Sequence, residues 1–329
     1  MSIRFSDTAS RYKGVRVLVL GATGFIGHWV ALALATAGGE VSIAVRDRER
    51  WKKLSKSSEP VNLKEIDLLD RRALSSLITN INPTVIFNLA GYGVDRMERD
   101  ESTAWRMNAV LPLTIGEILA EQDIGAWDGQ RFVHAGSALE YGRCSGDLSE
   151  NTEPAPTTVY GRSKLAGTWA LQDVSRSIGF QSAIARLFTV YGPGEHEGRL
   201  LPSLVEAAHN ETDVCLTDGT QKRDFTYVDD VVEGLLRIGL SNAPPGEIIN
   251  LATGRLTTVR IFAETAADVL KILPTRLRFG ALPIRNEEMA HNPVSTKRLQ
   301  LYTGWRPSIS IRDGIRRALL PDTARAHSE

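Results

Sequence analysis

The stretch VRVLVLGATGFIGHW, residues 15 to 29, constrains this chain more than any other. A β-branched and aliphatic run from Val15 to Leu20 opens directly into Gly21, Gly24 and Gly27, and an apolar helical pattern follows. That order reads as a strand, a tight turn and a helix start. Each glycine has its own task in such a turn: one makes the turn, one lets the backbone approach a pyrophosphate, and one lets the helix pack closely on the strand. The open amides and positive dipole end of a helix beginning near Phe25 then form an anion site. A second apolar strand, Glu40 to Val45, falls at the distance that a βαβ unit requires.

Strand-like and helix-like segments alternate through the first half, which predicts an α/β fold: a Rossmann-type, doubly wound parallel sheet covered on both faces. A helix over 26–37 ends at Gly38 and Gly39, and Val41–Val45 is the second strand. A ribose-binding carboxylate after that strand would favour NAD, but this chain has Arg46, which can pair with the extra phosphate of NADP. NADP(H) is therefore favoured and NAD(H) remains possible. Leu63–Ile66 is a third strand, with Asp67 placed to contact an adenine edge, and Thr84–Leu89 is a fourth, running into the small residues Ala90 and Gly91. A long helix over about 103–121 carries Asn108. Arg131–Ala135 ends at Gly136 and Ser137, a second long helix covers about 158–177, and Gln181–Leu187 is a sixth strand. Beyond Thr189 the elements shorten and prolines and glycines increase. We expect residues 1–187 plus 225–254 to form the dinucleotide-binding domain, and 188–224 plus 255–329 to form a smaller C-terminal α/β substrate lobe.

Composition excludes several functions. Lysine plus arginine and aspartate plus glutamate balance at 39 each, so no global field attracts nucleic acid or an anionic membrane. No run approaches the roughly 20 apolar residues that span a bilayer. The polar start MSIRFSDTASRYKG lacks the apolar core of a signal peptide, and two cysteines, Cys144 and Cys215, make no disulfide framework, so a reducing cytoplasm is expected. The six histidines are scattered without ligand spacing, and no metal is expected.

Tyr160 and Lys164 are one helical turn apart, so both project from one face of their helix, and Ser137 ends a strand that should point toward that face. A hydride arriving at a carbonyl carbon creates an alkoxide, which needs a proton and a polarised oxygen. Tyr160 supplies the proton in this reading, Lys164 lowers the tyrosine's pKa by its charge, and Ser137 donates a hydrogen bond to the same oxygen.

GATGFIG, Asn88-Leu89-Ala90-Gly91, Ser137 with Tyr141-Gly142, the Tyr160–Lys164 pair, YGPGE at 191–195 and RDFTYVDDV at 223–231 resemble the extended short-chain dehydrogenase/reductases that act on nucleotide sugars. The likeness covers nearly the whole chain in the family's order. It implies a Ser–Tyr–Lys triad at Ser137, Tyr160 and Lys164, and a homodimer built on the two long helices. Together with the residue reading, it places the dinucleotide against Gly21, Thr23, Gly24, Phe25, Ile26, Gly27, Arg46, Asp67, Leu68, Leu89, Ala90, Gly91, Asn108, Tyr160, Lys164 and Leu187.

Departures from the family refine this. Sugar 4,6-dehydratases of this kind carry an Asp-Glu pair right after the triad Ser/Thr, because eliminating water needs a further acid and base; here those positions are Ala138 and Leu139. GSALEYG and the late segment with Leu282, Pro283, Arg285, Lys297-Arg298-Leu299 and Gly304-Trp305 look like reductases of nucleotide-linked 4-keto-6-deoxyhexoses, such as the GDP-4-keto-6-deoxymannose reductases. The expected partner is a nucleotide-diphosphate sugar, met by Ser137, Ala138, Glu140, Arg186, Arg223 and Arg285. An NAD-retaining epimerase and a non-catalytic NADP-sensing protein are the alternatives.

Overall fold

The computed structural model describes residues 7–54, 61–95, 97–122, 127–144, 146–283 and 291–320. In chain order the strands are β1 (Arg16–Leu20), β2 (Glu40–Val45), β3 (Asn62–Glu65), β4 (Val85–Asn88), β5 (Phe132–Ser137), β6 (Ser182–Leu187), β7 (Thr189–Tyr191), β8 (Val214–Cys215), β9 (Lys222–Tyr227), β10 (Glu247–Leu251), β11 (Leu256–Thr258) and β12 (Leu277–Arg278). Seven of them form one sheet in the order β10-β6-β5-β4-β1-β2-β3, and every pairing in it is parallel.

A parallel sheet must be buried on both faces, and the strand residues divide accordingly. Val17 and Val19 of β1, Val85 and Phe87 of β4, and Ala183 and Ala185 of β6 enter one core layer, with helices Phe25–Thr36 and Val228–Gly239 above it. Leu18, Leu20, Ile86 and Ile184 enter the opposite layer, covered by Arg71–Ile81, Leu111–Ala120 and Val159–Ile178. The strand order reverses at β1, between β4 and β2, and a cleft opens there at the carboxyl ends of the strands.

The first long helix departs from simple periodicity. It runs over Glu101–Ala120 but takes a π turn at Arg106–Val110. Pro112 has no N–H to return to Asn108, and the freed carbonyl is where the Val159–Ile178 helix comes closest: a Cβ on Gly167 would clash with Asn108 O.

The chain's return to the large sheet also starts later than Phe225. β9 pairs with β7 and β11 in a separate three-stranded sheet. Tyr191, Phe225, Tyr227 and Phe262 form an aromatic cluster there that holds Phe225–Tyr227 in that smaller sheet. Only the helix Val228–Gly239 and β10 rejoin the large sheet.

Candidate active site

The cleft at the reversal point has a volume of about 540 Å³ and is walled by the ends of β1, β2, β4, β5 and β6 on one side and by the lobe on the other. Gly21 takes φ +78°, and a Cβ there would lie 2.5 Å from Ala90 N, so only glycine lets the turn after β1 cross the turn after β4. A Cβ on Gly27 would clash with Gly21 O, which fixes how closely the helix packs on the turn. Gly24 is the N-cap of helix Phe25–Thr36 and offers no capping side chain, leaving the first amides of the helix without an internal acceptor. An anion is the natural partner for them.

Thr23, Gly24, Phe25, Ile26, Arg46, Asp67, Leu68, Leu89, Ala90, Gly91 and Leu187 all line the cleft. Asp67 also accepts from Leu69 N at 3.0 Å. Arg50 lines the same wall as Arg46. In the sequence it is hidden within the charged run RDRERWKK, where its spacing of four from Arg46 was the available signal.

Ser137, Tyr160 and Lys164 converge on the cleft. Thr158 caps the long helix by accepting from Gly161 N at 3.0 Å, which places Tyr160 in the helix's first turn. The Ser137 hydroxyl accepts from Leu139 N at 3.2 Å. Burial pushes the Tyr160 phenol up to about 12, with the nearby Ser137 hydroxyl opposing it and Glu140 adding to it. The Lys164 ammonium, expected to lower this tyrosine, donates to Ala135 O at 2.9 Å. Burial lowers Lys164 itself to about 8, against an upward pull from Glu140.

Three expected contacts lie behind the cleft wall. Asn108 is buried, accepts from Tyr92 N at 3.0 Å, and donates to Tyr92 O at 2.8 Å and Ser163 Oγ at 3.0 Å. It therefore ties the loop after Gly91 to the long helix. Glu140 and Arg186 are corrected as substrate contacts: they are 0% and 2% exposed and pair with each other at 2.8 Å. Glu140 also accepts from Ser137 N at 2.7 Å and Thr168 Oγ1 at 3.1 Å. A Cβ on Gly136 would lie 2.7 Å from the Glu140 carboxylate, so that glycine makes room for the buried charge.

Ala138, just past β5, and Arg223 of β9 line the cleft at expected positions, and Arg285 lies outside the described residues. Sequence reasoning missed Glu98, Glu195, His196, Arg199, Lys222, Asp224 and His291, which also line it. Asp224 is buried and accepts from Thr253 N at 2.9 Å, Thr253 Oγ1 at 2.8 Å and Gly254 N at 2.8 Å, pinning the lobe to the loop after β10. Among the described residues, no helix is long and apolar enough to cross a membrane.

The model for the NAD dependent epimerase/dehydratase family matches residues 17–252. A probable UDP-glucuronate 4-epimerase of Rhizobium meliloti is 26% identical over 345 residues, covering 92% of this chain and 95% of that protein. A dTDP-6-deoxy-L-talose 4-dehydrogenase (NAD(P)(+)) of Kitasatospora kifunensis is 27% identical over 325 residues, covering 94% and 96%. The solved structure of MoeE5 in complex with UDP-glucuronic acid and NAD has a TM-score of 0.79 at 25% identity, over 92% of this chain and 96% of that one.

Proposed function

The chain belongs to the NAD dependent epimerase/dehydratase family, and from that premise we propose that it reduces the ring ketone of a nucleotide-linked 4-keto-6-deoxy sugar with NADPH. The observation that carries the reading is the pair of guanidinium groups, Arg46 and Arg50, in the cleft wall just past β2. They meet an added ribose phosphate there with charge-assisted bonds, where an NAD site would carry a carboxylate. A coenzyme that leaves and returns as NADPH suits a net reductase. The dehydrogenase relative from Kitasatospora kifunensis, whose name allows either coenzyme and places the redox chemistry at C4, also supports it.

The uncapped first turn of helix Phe25–Thr36 and the glycine turn before it fit a dinucleotide diphosphate, and Gly21, Thr23, Gly24, Ile26, Leu89, Ala90 and Gly91 would hold the bound nucleotide. When bound, the nicotinamide supplies hydride to the ketone carbon. The protein's own groups handle the oxygen. A phenol at about 12 stays protonated at neutral pH, so Tyr160 donates its proton to the forming alkoxide. Ser137 polarises the same oxygen, and Lys164, held by Ala135 O, presents its ammonium beside Gly91. Ala138 and Leu139 bring no acid or base next to Ser137, so the site is suited to reduction and not to loss of water.

The two domains divide this work, the large sheet carrying the coenzyme and the lobe the sugar nucleotide. Exposed apolar residues on the two long helices, Trp105, Val110, Trp169 and Ile178, form the surface on which a second copy pairs. A second reading, an epimerase that keeps NAD, is favoured by the relatives named as epimerases and by the NAD in MoeE5.

Absorbance of NADPH and, in parallel, NADH is followed with nucleotide 4-keto-6-deoxy sugars carrying different bases. Stoichiometric oxidation of NADPH, lost by about 10²–10⁴-fold in Tyr160→Phe with coenzyme binding retained, is the expected result. If neither coenzyme is consumed and the purified protein already carries NAD, the epimerase reading replaces it. Tyr160→Phe turning over normally would leave the triad without a role.

A further inference from the structure

Glu195 ends the YGPGE segment that follows β7. Gly192 and Gly194 turn this segment with φ values of 150° and 82°. It is pinned to the glycine-turn helix, where Trp29 Nε1 donates to Pro193 O at 2.8 Å and a Cβ on Gly194 would lie 3.8 Å from Phe25. The carboxyl therefore enters the cleft wall beside the first turn of helix Phe25–Thr36. Its side chain is 7% exposed. Oε1 accepts from Arg199 Nε at a long 3.4 Å, and Oε2 is buried with no hydrogen-bond partner.

That arrangement conflicts with the ligand the cleft is built to take. A buried carboxylate oxygen without a donor is unfavourable by itself, and a diphosphate brought to the neighbouring amides adds like charge. The same diphosphate competes for Arg199, whose side chain is 41% exposed and lightly held. A carboxylic acid removes both difficulties, because it is uncharged and its O–H has an acceptor in a phosphate oxygen.

We propose that Glu195 is a ligand-contacting carboxyl that takes up one proton from solvent when a diphosphate-bearing nucleotide enters the cleft, and that it then donates a hydrogen bond to a phosphate oxygen while Arg199 turns to the phosphate. The inference rests on the nucleotide-binding reading of the cleft given above. Burial already raises the Glu195 carboxyl to about 7, opposed by Arg199 and by the Gly192 backbone, so a modest further rise on binding moves it across neutral pH. The sign follows from linkage. Below pH 7 the acid form is present before binding and no proton is exchanged. Above pH 7 the proton must be taken up, and affinity falls as pH rises, by up to about tenfold per pH unit. The other titratable or charged groups on this cleft are His196 and Arg199 on the same segment, Lys222, Arg223 and Asp224 of β9, His291, Arg46, Arg50, Asp67, Glu98, Tyr160 and Lys164.

Isothermal titration of the full chain with NADP⁺, and separately with UDP, between pH 6 and 8 in two buffers of different ionisation enthalpy measures the protons exchanged. The arm that shows uptake at pH 7.5 identifies which diphosphate seats against Glu195. Glu195→Gln keeps every other group and places an amide N–H where the acid O–H would be. Its expected behaviour is loss of more than about half a proton of uptake at pH 7.5, with a Kd that stays level from pH 7 to 8, above the ionisation of the ligand phosphates, where the wild type weakens. Wild-type binding with proton uptake in neither the NADP⁺ nor the UDP arm, or uptake that survives in Glu195→Gln, overturns the inference alone. A wild-type chain that binds neither ligand overturns the nucleotide-binding reading together with it.

Discussion

Glu140→Gln tests the buried support of the catalytic strand. The carboxylate is fully buried and takes three donors at once: Ser137 N at 2.7 Å, Thr168 Oγ1 at 3.1 Å and Arg186 Nε at 2.8 Å. The guanidinium it neutralises is 2% exposed and stacks 4.3 Å from the Tyr141 ring centroid. Glutamine keeps the shape and an acceptor oxygen for Ser137 N but removes the counter-charge. Breaking one side of such a pair costs about 3–5 kcal/mol, a large share of the roughly 5–15 kcal/mol that holds a typical protein folded. The double variant Glu140→Gln with Arg186→Met removes both charges, keeps the acceptor for Ser137 N, and leaves an apolar side chain against Tyr141. It is expected to regain at least about 2 kcal/mol over Glu140→Gln. Urea unfolding at pH 7, with midpoints converted through a common m-value, measures both variants. A single variant that loses less than about 1 kcal/mol, or a double variant no more stable than the single, would falsify the claim that charge compensation dominates here.

Three further outcomes follow from the geometry. Replacing Arg46 and Arg50 together by alanine is expected to weaken NADP⁺ binding by at least about tenfold while leaving NAD⁺ binding unchanged; equal losses for the two coenzymes in titration calorimetry would remove the basis for the NADPH reading. Lys164→Met should abolish turnover yet stabilise the fold at pH 7, because the lysine is buried and its pKa is lowered from 10.5 to about 8. The folded state then binds fewer protons than the unfolded one between those values, so wild-type stability relative to Lys164→Met should rise as pH climbs from about 8 to 10.5; a stability difference independent of pH in thermal melts would contradict the shift. Trp169→Glu should convert a dimer to a monomer in analytical ultracentrifugation, since it places a charge in the exposed apolar surface of the long helices; an unchanged mass would move the interface elsewhere.

Local physics made much of this protein legible in its sequence. The glycine turn, the β-strand runs and the Tyr160–Lys164 spacing each act through neighbours within a few residues, so their geometry follows from backbone sterics and helical period alone. The same reasoning located cleft-lining residues at the ends of β1, β2, β4, β5 and β6, because in a parallel sheet the residues just past each strand share one edge. Glu140 and Arg186 show where that reasoning ends. They stand next to cleft residues in sequence, but the side of the strand end on which each side chain falls was settled by pairing across β5 and β6 and by the space above Gly136. Lys164 and Tyr160 likewise have ordinary residue types, and their opposed pKa shifts come from burial that only the assembled layers create. Phe225–Tyr227 stays in the three-stranded sheet because aromatic rings distant in the chain gather around it. Glu195 carries no signal in its motif beyond proximity to a turn, and one of its carboxylate oxygens is left buried without a partner only when the segment after β7 packs on the glycine-turn helix. The sequence by itself determined the sheet and the catalytic spacing, since short-range sterics decide both, whereas the placement of buried charge was decided by the tertiary structure, since desolvation depends on every element packed around a group.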